Sequence, residues 1–353
     1  MSPAAPDDPL AAQIEGQVGV AQRVGSQFYV TLLRRMRDDV LADGPVRDAL
    51  RGHESDRVDE WDAYRLLAGV HRIVLEGEAP ELEAHYPSTG GDGDANAAWP
   101  AVRELIAAGR AEVIDALSHP LQTNAVTRAK ALVGGLCLVA VETDRPLRLL
   151  ELGASGGLNL RLDRFRYEDR GASFGPAGSP VRFVDFLTGG RPPLAHGFEV
   201  AERAGCDLQP IDPTTEAGRL TLLACIFPDE TPRFELLARA IEVARATPAT
   251  VERADLAEWA ADRLADPRPD LATVVYHTLV WPYLPDAVRE KAEGVIAAAG
   301  ERATPDSPLA LLAFEGAADE PALAELRLTT WPGGHERLLA RTSFHPVTVD
   351  WIG

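Results

Sequence analysis

Apolar residues recur at helical spacing through the first two-fifths of the chain. Val24, Phe28, Leu32, Leu33 and Met36 fall on one stripe, at the i, i+4, i+8, i+9 and i+12 positions of an amphipathic helix. Trp61, Tyr64, Leu67 and Ala68 form a second stripe that Ile73 and Leu75 extend. The stretch from Pro87 to Asn96 carries the turn residues of a loop,. Trp99 to Leu117 and Thr123 to Val141 read as further helices, with Thr123 or Asn124 as N-cap of the second,. The pattern therefore predicts a disordered start over residues 1–9, rich in Pro and Asp, and a helical domain without strands over 10–145,.

At Pro146 the pattern changes. Leu147 to Leu152 is short and apolar and stops at Gly153, as a buried strand does,. Strand signals follow at Phe198–Cys206, Ala249–Arg253, Leu271–Tyr276 and Leu309–Phe314. Helical patterns alternate with them at Thr214–Ala246 (interrupted at Phe227), Leu256–Leu264 and Asp286–Ala299. Glu325–Trp331 and Arg337–Ser343 flank the turn Pro332-Gly-Gly and predict a closing antiparallel hairpin,. A Gly/Pro-rich excursion from Gly171 to Pro193, expected to contain a hairpin, falls inside an insertion at about 165–197. Residues 146–353 thus predict an α/β domain, an open twisted and mostly parallel sheet flanked by helices.

Composition narrows the partners. The 353 residues carry 35 basic and 54 acidic side chains, a net charge of −19. The acidity is spread out, with 23 acids and 14 bases in residues 1–145 and 31 and 21 in the rest. No basic domain is set apart, which argues against nucleic acid and against adhesion to an anionic membrane. Hydrophobic residues reach 46%, enough for a sizeable core,. Cys137, Cys206 and Cys225 are odd in number and unclustered. They fit a reduced, cytoplasmic protein, and no His or Cys spacing suggests a metal site. The acidic run from Glu54 to Asp62 reads as a solvated helix start,. Nothing in the pattern specifies an oligomeric state.

The most informative segment is Glu151-Leu-Gly153-Ala-Ser155-Gly-Gly157-Leu-Asn159. Small residues after a buried strand allow a tight turn and let a ligand approach the backbone. The dinucleotide pattern Gly-x-Gly-x-x-Gly fails, because Ser155 and Leu158 stand at its third and sixth positions,. The nucleophile-elbow pattern Gly-x-Ser-x-Gly matches as Gly153 to Gly157 and offers Ser155 as the nucleophile of an α/β serine hydrolase,. That fold needs several strands before the elbow, and residues 10–145 show none.

The segment resembles the first motif of class I S-adenosylmethionine-dependent methyltransferases. Gly205-Cys-Asp207 resembles their second strand end, where an acid holds the ribose hydroxyls. Val251 to Leu256, with Asp255, resembles the third, where an acid meets the adenine amine. Thr273 to His277 resembles the fourth strand and its catalytic-side loop. From Gly157 to Asp207 the gap is longer than that family usually has, so Asp163, Asp169 and Asp212 stay open as ribose ligands. Nearly the whole chain also resembles a bacterial, actinobacterial-type domain-of-unknown-function family that couples a helical N-terminal part to a Rossmann-like core. His85-Tyr86-Pro-Ser, Gln122-Thr-Asn124 with Arg128, the glycine segment, Gly205-Cys-Asp207, His277-Thr-Leu-Val-Trp281 and Trp331-Pro-Gly-Gly carry that likeness.

These resemblances imply a Rossmann-like class I methyltransferase fold and transfer of a methyl group from S-adenosylmethionine to a small-molecule acceptor. They imply Glu151, Gly153, Ser155, Gly157, Asn159, Asp207, Asp255 and Tyr276 as cofactor contacts. His277 is the expected general base, since an unperturbed imidazole titrates near ~6.5. Tyr86, Asn124, Arg128 and Trp281 are the expected acceptor contacts, with the helical domain as the acceptor wall. Several of these residues also have a plainer role: Glu151 as a cap of the following turn, Asp255 as an N-cap, with Glu258 completing a capping box, His277 as a core histidine, Trp281 as a packing aromatic, and Asn124 with Arg128 as a cap for a neighbouring helix. Two alternatives stand beside methyl transfer, a non-catalytic module that binds S-adenosylmethionine or a related nucleoside, and the Ser155 hydrolase.

Overall fold

The computed structural model describes residues 8–52, 61–118, 121–122 and 124–353. The chain forms two compact units, Met1–Thr123 with Thr215–Ala238, and Asn124–Thr214 with Arg239–Gly353. The expected division at 145/146 differs at two places. The helix Ala129–Thr143 belongs with the sheet, and residues 215–238 belong with the N-terminal helices.

The described residues of the first unit form helices joined by turns, with no strand among them. Asp8 caps Pro9–Val24, and Gly25, at φ +92°, ends that helix. Ser26 then caps Gln27–Leu41 by accepting a hydrogen bond from Tyr29 N. The stripe expected from Val24 to Met36 is therefore broken: Val24 is exposed, while Phe28, Leu32, Leu33 and Met36 are buried. Trp61 sits at the N-cap of Asp62–Leu75, and Tyr64, Leu66, Leu67 and Val70 enter the core. Asp62 is buried, accepting from Gln13 Nε2 and pairing with Arg65, unlike the solvated start expected there. Glu54 to Glu60 and the start at residues 1–7 lie outside the described residues. Phe227 explains why the later segment joins this unit, since its ring packs 4.8 Å from Tyr29 and 5.0 Å from Tyr64. Asp229 adds two hydrogen bonds, from Ser26 Oγ and Phe28 N.

Every named strand lies in the second unit. They are β1 Leu147–Leu152, β2 Arg166–Asp169, β3 Ala172–Phe174, β4 Arg182–Val184, β5 Leu187–Gly189 and β6 Val200–Asp207. The rest are β7 Thr250–Arg253, β8 Ala272–Thr278, β9 Leu309–Gly316, β10 Ala324–Trp331, β11 His335–Thr342 and β12 Val349–Trp351. The main sheet runs β5-β12-β11-β10-β9-β8-β1-β6-β7. From β7 to β9 all neighbours are parallel, and β9 to β12 alternate in direction. The result is a mixed α/β fold with a large, mostly parallel sheet, as the alternating pattern predicted. The insertion forms a small sheet, β3-β2-β4, and sends β5 to the far edge beside β12. Neither β5 nor β12 was predicted, because three-residue strands leave no readable period.

Side-chain alternation assigns the two faces. Leu150, Leu152, Val275 and Leu311 face the layer containing Leu256–Arg263 and Asp286–Glu301. Leu312 and Leu326 face Ala129–Thr143, whose Gly135 lies so close that an added Cβ would sit 2.6 Å from Leu312. That close approach ties the apolar helix to the sheet rather than to the helices before it. Strand order reverses at β1, with β6 and β7 on one side and β8 and β9 on the other. In such sheets a crevice opens outside the carboxyl ends at the reversal. Among the described residues no helix is long and apolar enough to cross a membrane.

Candidate functional site at the carboxyl edge of the sheet

The turn after β1 is held from several directions. Gly153, Ser155 and Gly157 all take positive φ, +68°, +53° and +62°. An added Cβ at Gly153 would lie 2.6 Å from Val280, and one at Gly157 would lie 2.7 Å from Val251. Both positions therefore exclude side chains by conformation and by space. Asp207, at the end of β6, accepts from Ser155 N at 2.8 Å and from Gln209 N at 2.9 Å. Asn124 Nδ2 donates to Ala154 O, and its Oδ1 accepts from Leu158 N. Arg161 is buried beneath, donating to the carbonyls of Gly156 and Gly157.

Glu151 is only 2% exposed and accepts a hydrogen bond from the Tyr276 hydroxyl at 3.2 Å. The two residues face each other across the β1–β8 register. Burial pushes the Glu151 carboxyl from 4.5 up to about 8, against the opposing pull of Tyr276, Arg161 and Arg128. Desolvation disfavours the charged form of the side chain, which is what raises its pKa. Asp255 caps the helix that starts at Leu256, accepting from Ala257 N and Glu258 N on Oδ1. Glu258 pairs with Lys291. Arg128 donates to Thr278 O at 2.8 Å and to its hydroxyl at 3.2 Å.

Of the three other acids weighed for the ribose, Asp163 makes a bidentate pair with Arg203. Asp169 accepts from Leu187 N, and Asp212 holds Thr214. Asp207 accepts a hydrogen bond from the glycine turn, at Ser155 N. Asn159 is buried, with Nδ2 3.5 Å from Ala125 O and Oδ1 unpaired.

His277 stands on the opposite face of the sheet from Glu151. It is in register with Leu152 and Ala313, while Glu151 is in register with Tyr276. Its ring is 1% exposed and stacks on Trp281 at 3.6 Å and 9°. Nδ1 lies 2.7 Å from Glu315 Oε1, an oxygen that also accepts from Val280 N at 3.0 Å and Trp281 N at 3.4 Å. The Trp281 indole donates to Glu293.

Over residues 11–351 the sequence matches the family described as "Uncharacterized protein conserved in bacteria (DUF2332)". The chain belongs to that family. No curated protein and no solved structure matches it.

In this DUF2332 chain the expected contacts other than Tyr86 belong to the second unit. Tyr86 is fully buried in the first unit's core, edge-on to Phe28 and beside His71. Its place there is a packing position, set by the apolar residues around it. Asn124 is likewise spent on the glycine turn and begins no helix; a 3-10 turn, Val126–Arg128, leads into Ala129–Thr143, and Thr123 is outside the described residues. Arg161 and Glu315 were not foreseen. Arg161 gave no signal beyond its apolar neighbours, but Glu315-Gly316 closes β9 as Glu151-Leu-Gly153 closes β1. An acid just before a glycine at a strand end is the signal that was there to be read.

Proposed function

We propose that this DUF2332 protein binds S-adenosylmethionine at the turn after β1 and transfers its methyl group to a small-molecule acceptor. The observation that carries the reading is the set of three carboxyl groups, Glu151, Asp207 and Asp255, at or just beyond the carboxyl ends of β1, β6 and β7, with the glycine turn at the reversal of strand order. Carboxylates only accept hydrogen bonds and attract cations. They suit a positively charged ligand rich in hydroxyl and amine donors and would repel a pyrophosphate. Asp207 and Asp255 each use part of their accepting capacity on backbone amides, and a carboxylate has about four such sites, so both can serve a ligand as well,. Buried Arg161 is committed to turn carbonyls and offers no phosphate clamp.

In the proposed site Asp207 accepts from the ribose hydroxyls, and Asp255 from the adenine amine. Glu151 ionises toward the cationic portion. When bound, S-adenosylmethionine supplies a methyl carbon activated by a sulfonium, so the chain's task is positioning and exclusion of water.

The His277–Glu315 pair, together with the positive φ of Ser155, is what favours a serine hydrolase as second reading,. Two features count against it. The elbow should lead from strand into helix, whereas Gly157 leads into a 3-10 segment, Leu158–Arg164. Among the described residues the imidazole hydrogen-bonds to Glu315 and not to Ser155.

Calorimetry with S-adenosylmethionine and its demethylated product tests the proposal. Both are expected to bind, and Asp255→Asn is expected to weaken them while keeping the helix cap, because Asn caps as well as Asp. No binding of either, with a fluorophosphonate probe labelling Ser155, would transfer the site to the hydrolase.

A further inference from the structure

Resting on the methyl-transfer reading, we infer that Glu315 is a positioning residue that fixes His277 as a base for an acceptor bearing a hydroxyl group. The argument starts from the donors around Glu315 Oε1. Backbone amides can only donate, and Val280 N and Trp281 N both donate to this oxygen. An oxygen already accepting from two amides carries no proton of its own, so the proton in the 2.7 Å contact with His277 sits on Nδ1,. A neutral imidazole with its proton on Nδ1 carries its lone pair on Nε2, which has no hydrogen-bond partner among the described residues,.

Trp281, stacked at 9°, fixes the ring plane. Arg128 is held at the same strand end on Thr278, and Glu293 accepts from the Trp281 indole. A base oriented by a carboxylate on its far nitrogen is the arrangement that proton abstraction requires.

A base is needed only where the acceptor must lose a proton as it attacks. A hydroxyl is such a group, whereas a thiolate or a free amine already presents its lone pair. In the step, the acceptor's O–H bond breaks and its proton passes to Nε2. The oxygen's electron pair forms the bond to the methyl carbon as the carbon–sulfur pair returns to sulfur. The imidazolium so formed is stabilised by the Glu315 carboxylate until it gives its proton to water.

The test uses the full chain labelled with ¹⁵N-histidine, with His277→Gln identifying the His277 resonances and His71 as internal reference. The wild type is expected to show a protonated Nδ1 and an unprotonated Nε2 at neutral pH. Glu315→Gln, which retains an oxygen for the two amides, is expected to give a mixture of tautomers with the His71 resonances unmoved. Phenol is expected to shift the His277 Nε2 resonance, and anisole, its methyl ether without the O–H, is not. A proton on Nε2 in the wild type, an unchanged tautomer in Glu315→Gln, or equal or absent responses to phenol and anisole would overturn the inference. None of these measurements needs the methyl donor. Failure of S-adenosylmethionine to bind would remove the methyl-transfer reading alone and leave the tautomer result standing.

Discussion

Each unit of the molecule buries a histidine, and the two have opposite surroundings. In the helical unit His71 is satisfied at both nitrogens by neutral groups: Nδ1 donates to Ala224 O at 3.2 Å, and Nε2 accepts from the Ser88 hydroxyl at 2.7 Å. Burial lowers its pKa from 6.5 to about 4, so it stays neutral. In the sheet unit His277 meets a carboxylate at Nδ1, with no hydrogen bond to Nε2 among the described residues. Burial alone is not chemistry. A buried imidazole with both nitrogens used holds a fold together; one held by an anion, with a nitrogen to spare, can take a proton and keep it paired.

The sharpest way to break this comparison is to truncate both rings. His277→Ala is expected to lower turnover by ~10²–10⁴, the usual contribution of a positioned base, with kcat and kcat/KM falling together. Binding of the demethylated product should barely change, as calorimetry will show. His71→Ala should leave turnover per folded molecule unchanged. Its expected cost is roughly 2–5 kcal/mol of stability, from a cavity plus the unpaired Ser88 and Ala224 groups, read from denaturant unfolding.

The units should also respond to pH in opposite directions. Glu151 has a folded pKa raised from 4.5 to about 8, so the folded state binds more protons in that window. Stability from this group is therefore present below about 4.5 and is lost as pH rises toward 8, at about 1.4 kcal/mol per unit. Glu151→Gln should remove that slope and stabilise the protein on the order of a few kcal/mol in alkaline solution. Unfolding curves across pH for both proteins check it.

His71 works the other way. Its folded pKa is depressed, so the unfolded state binds more protons between about 4 and 6.5, and stability is lost as pH falls through that range,. Hydrogen exchange, corrected for intrinsic rates, should loosen the helices around His71 in acid and the strands around Glu151 in alkali. Uniform loosening of both units at either extreme would abolish the contrast.

The smallest expected effect is at Ser155. Its φ of +53° is strained for any residue but glycine. Ser155→Gly is expected to stabilise by less than about 1 kcal/mol and to leave methyl transfer intact. Loss of all activity in a folded Ser155→Gly protein would point back to the hydrolase.

Much of the fold was legible because it rests on periodicity. The strands β1, β6, β7, β8, β9, β10 and β11 were each located to within two or three residues, from short stretches of strand-favouring residues set between helical patterns and turn residues,. Asp255 announced itself as a cap by standing directly before an amphipathic run, and the cap is there. The helix stripe through Val24 misled, although Gly25-Ser26 carried a stop and a start signal inside it. The unit boundary was not legible. Ala129–Thr143 looks like one more helix, and only the close contact of Gly135 with Leu312 assigns it to the sheet.

The sequence by itself determined the α/β class, the position of the sheet within the chain, and the glycine turn with its preceding acid. These depend on spacing and residue type within a few positions, which local sterics and burial translate directly. Tertiary structure alone decided which side chains share a face and which find partners. His277 and Glu151 end neighbouring strands but point to opposite faces, because they occupy register positions of opposite parity. Glu315 reaches His277 from 38 residues away, through strand pairing that no local pattern encodes. Asp207 and Asn124 close on the glycine turn from 52 and 30 residues away. A hydrogen bond over such a span exists only after the sheet has formed, and so does the burial that raises the Glu151 carboxyl.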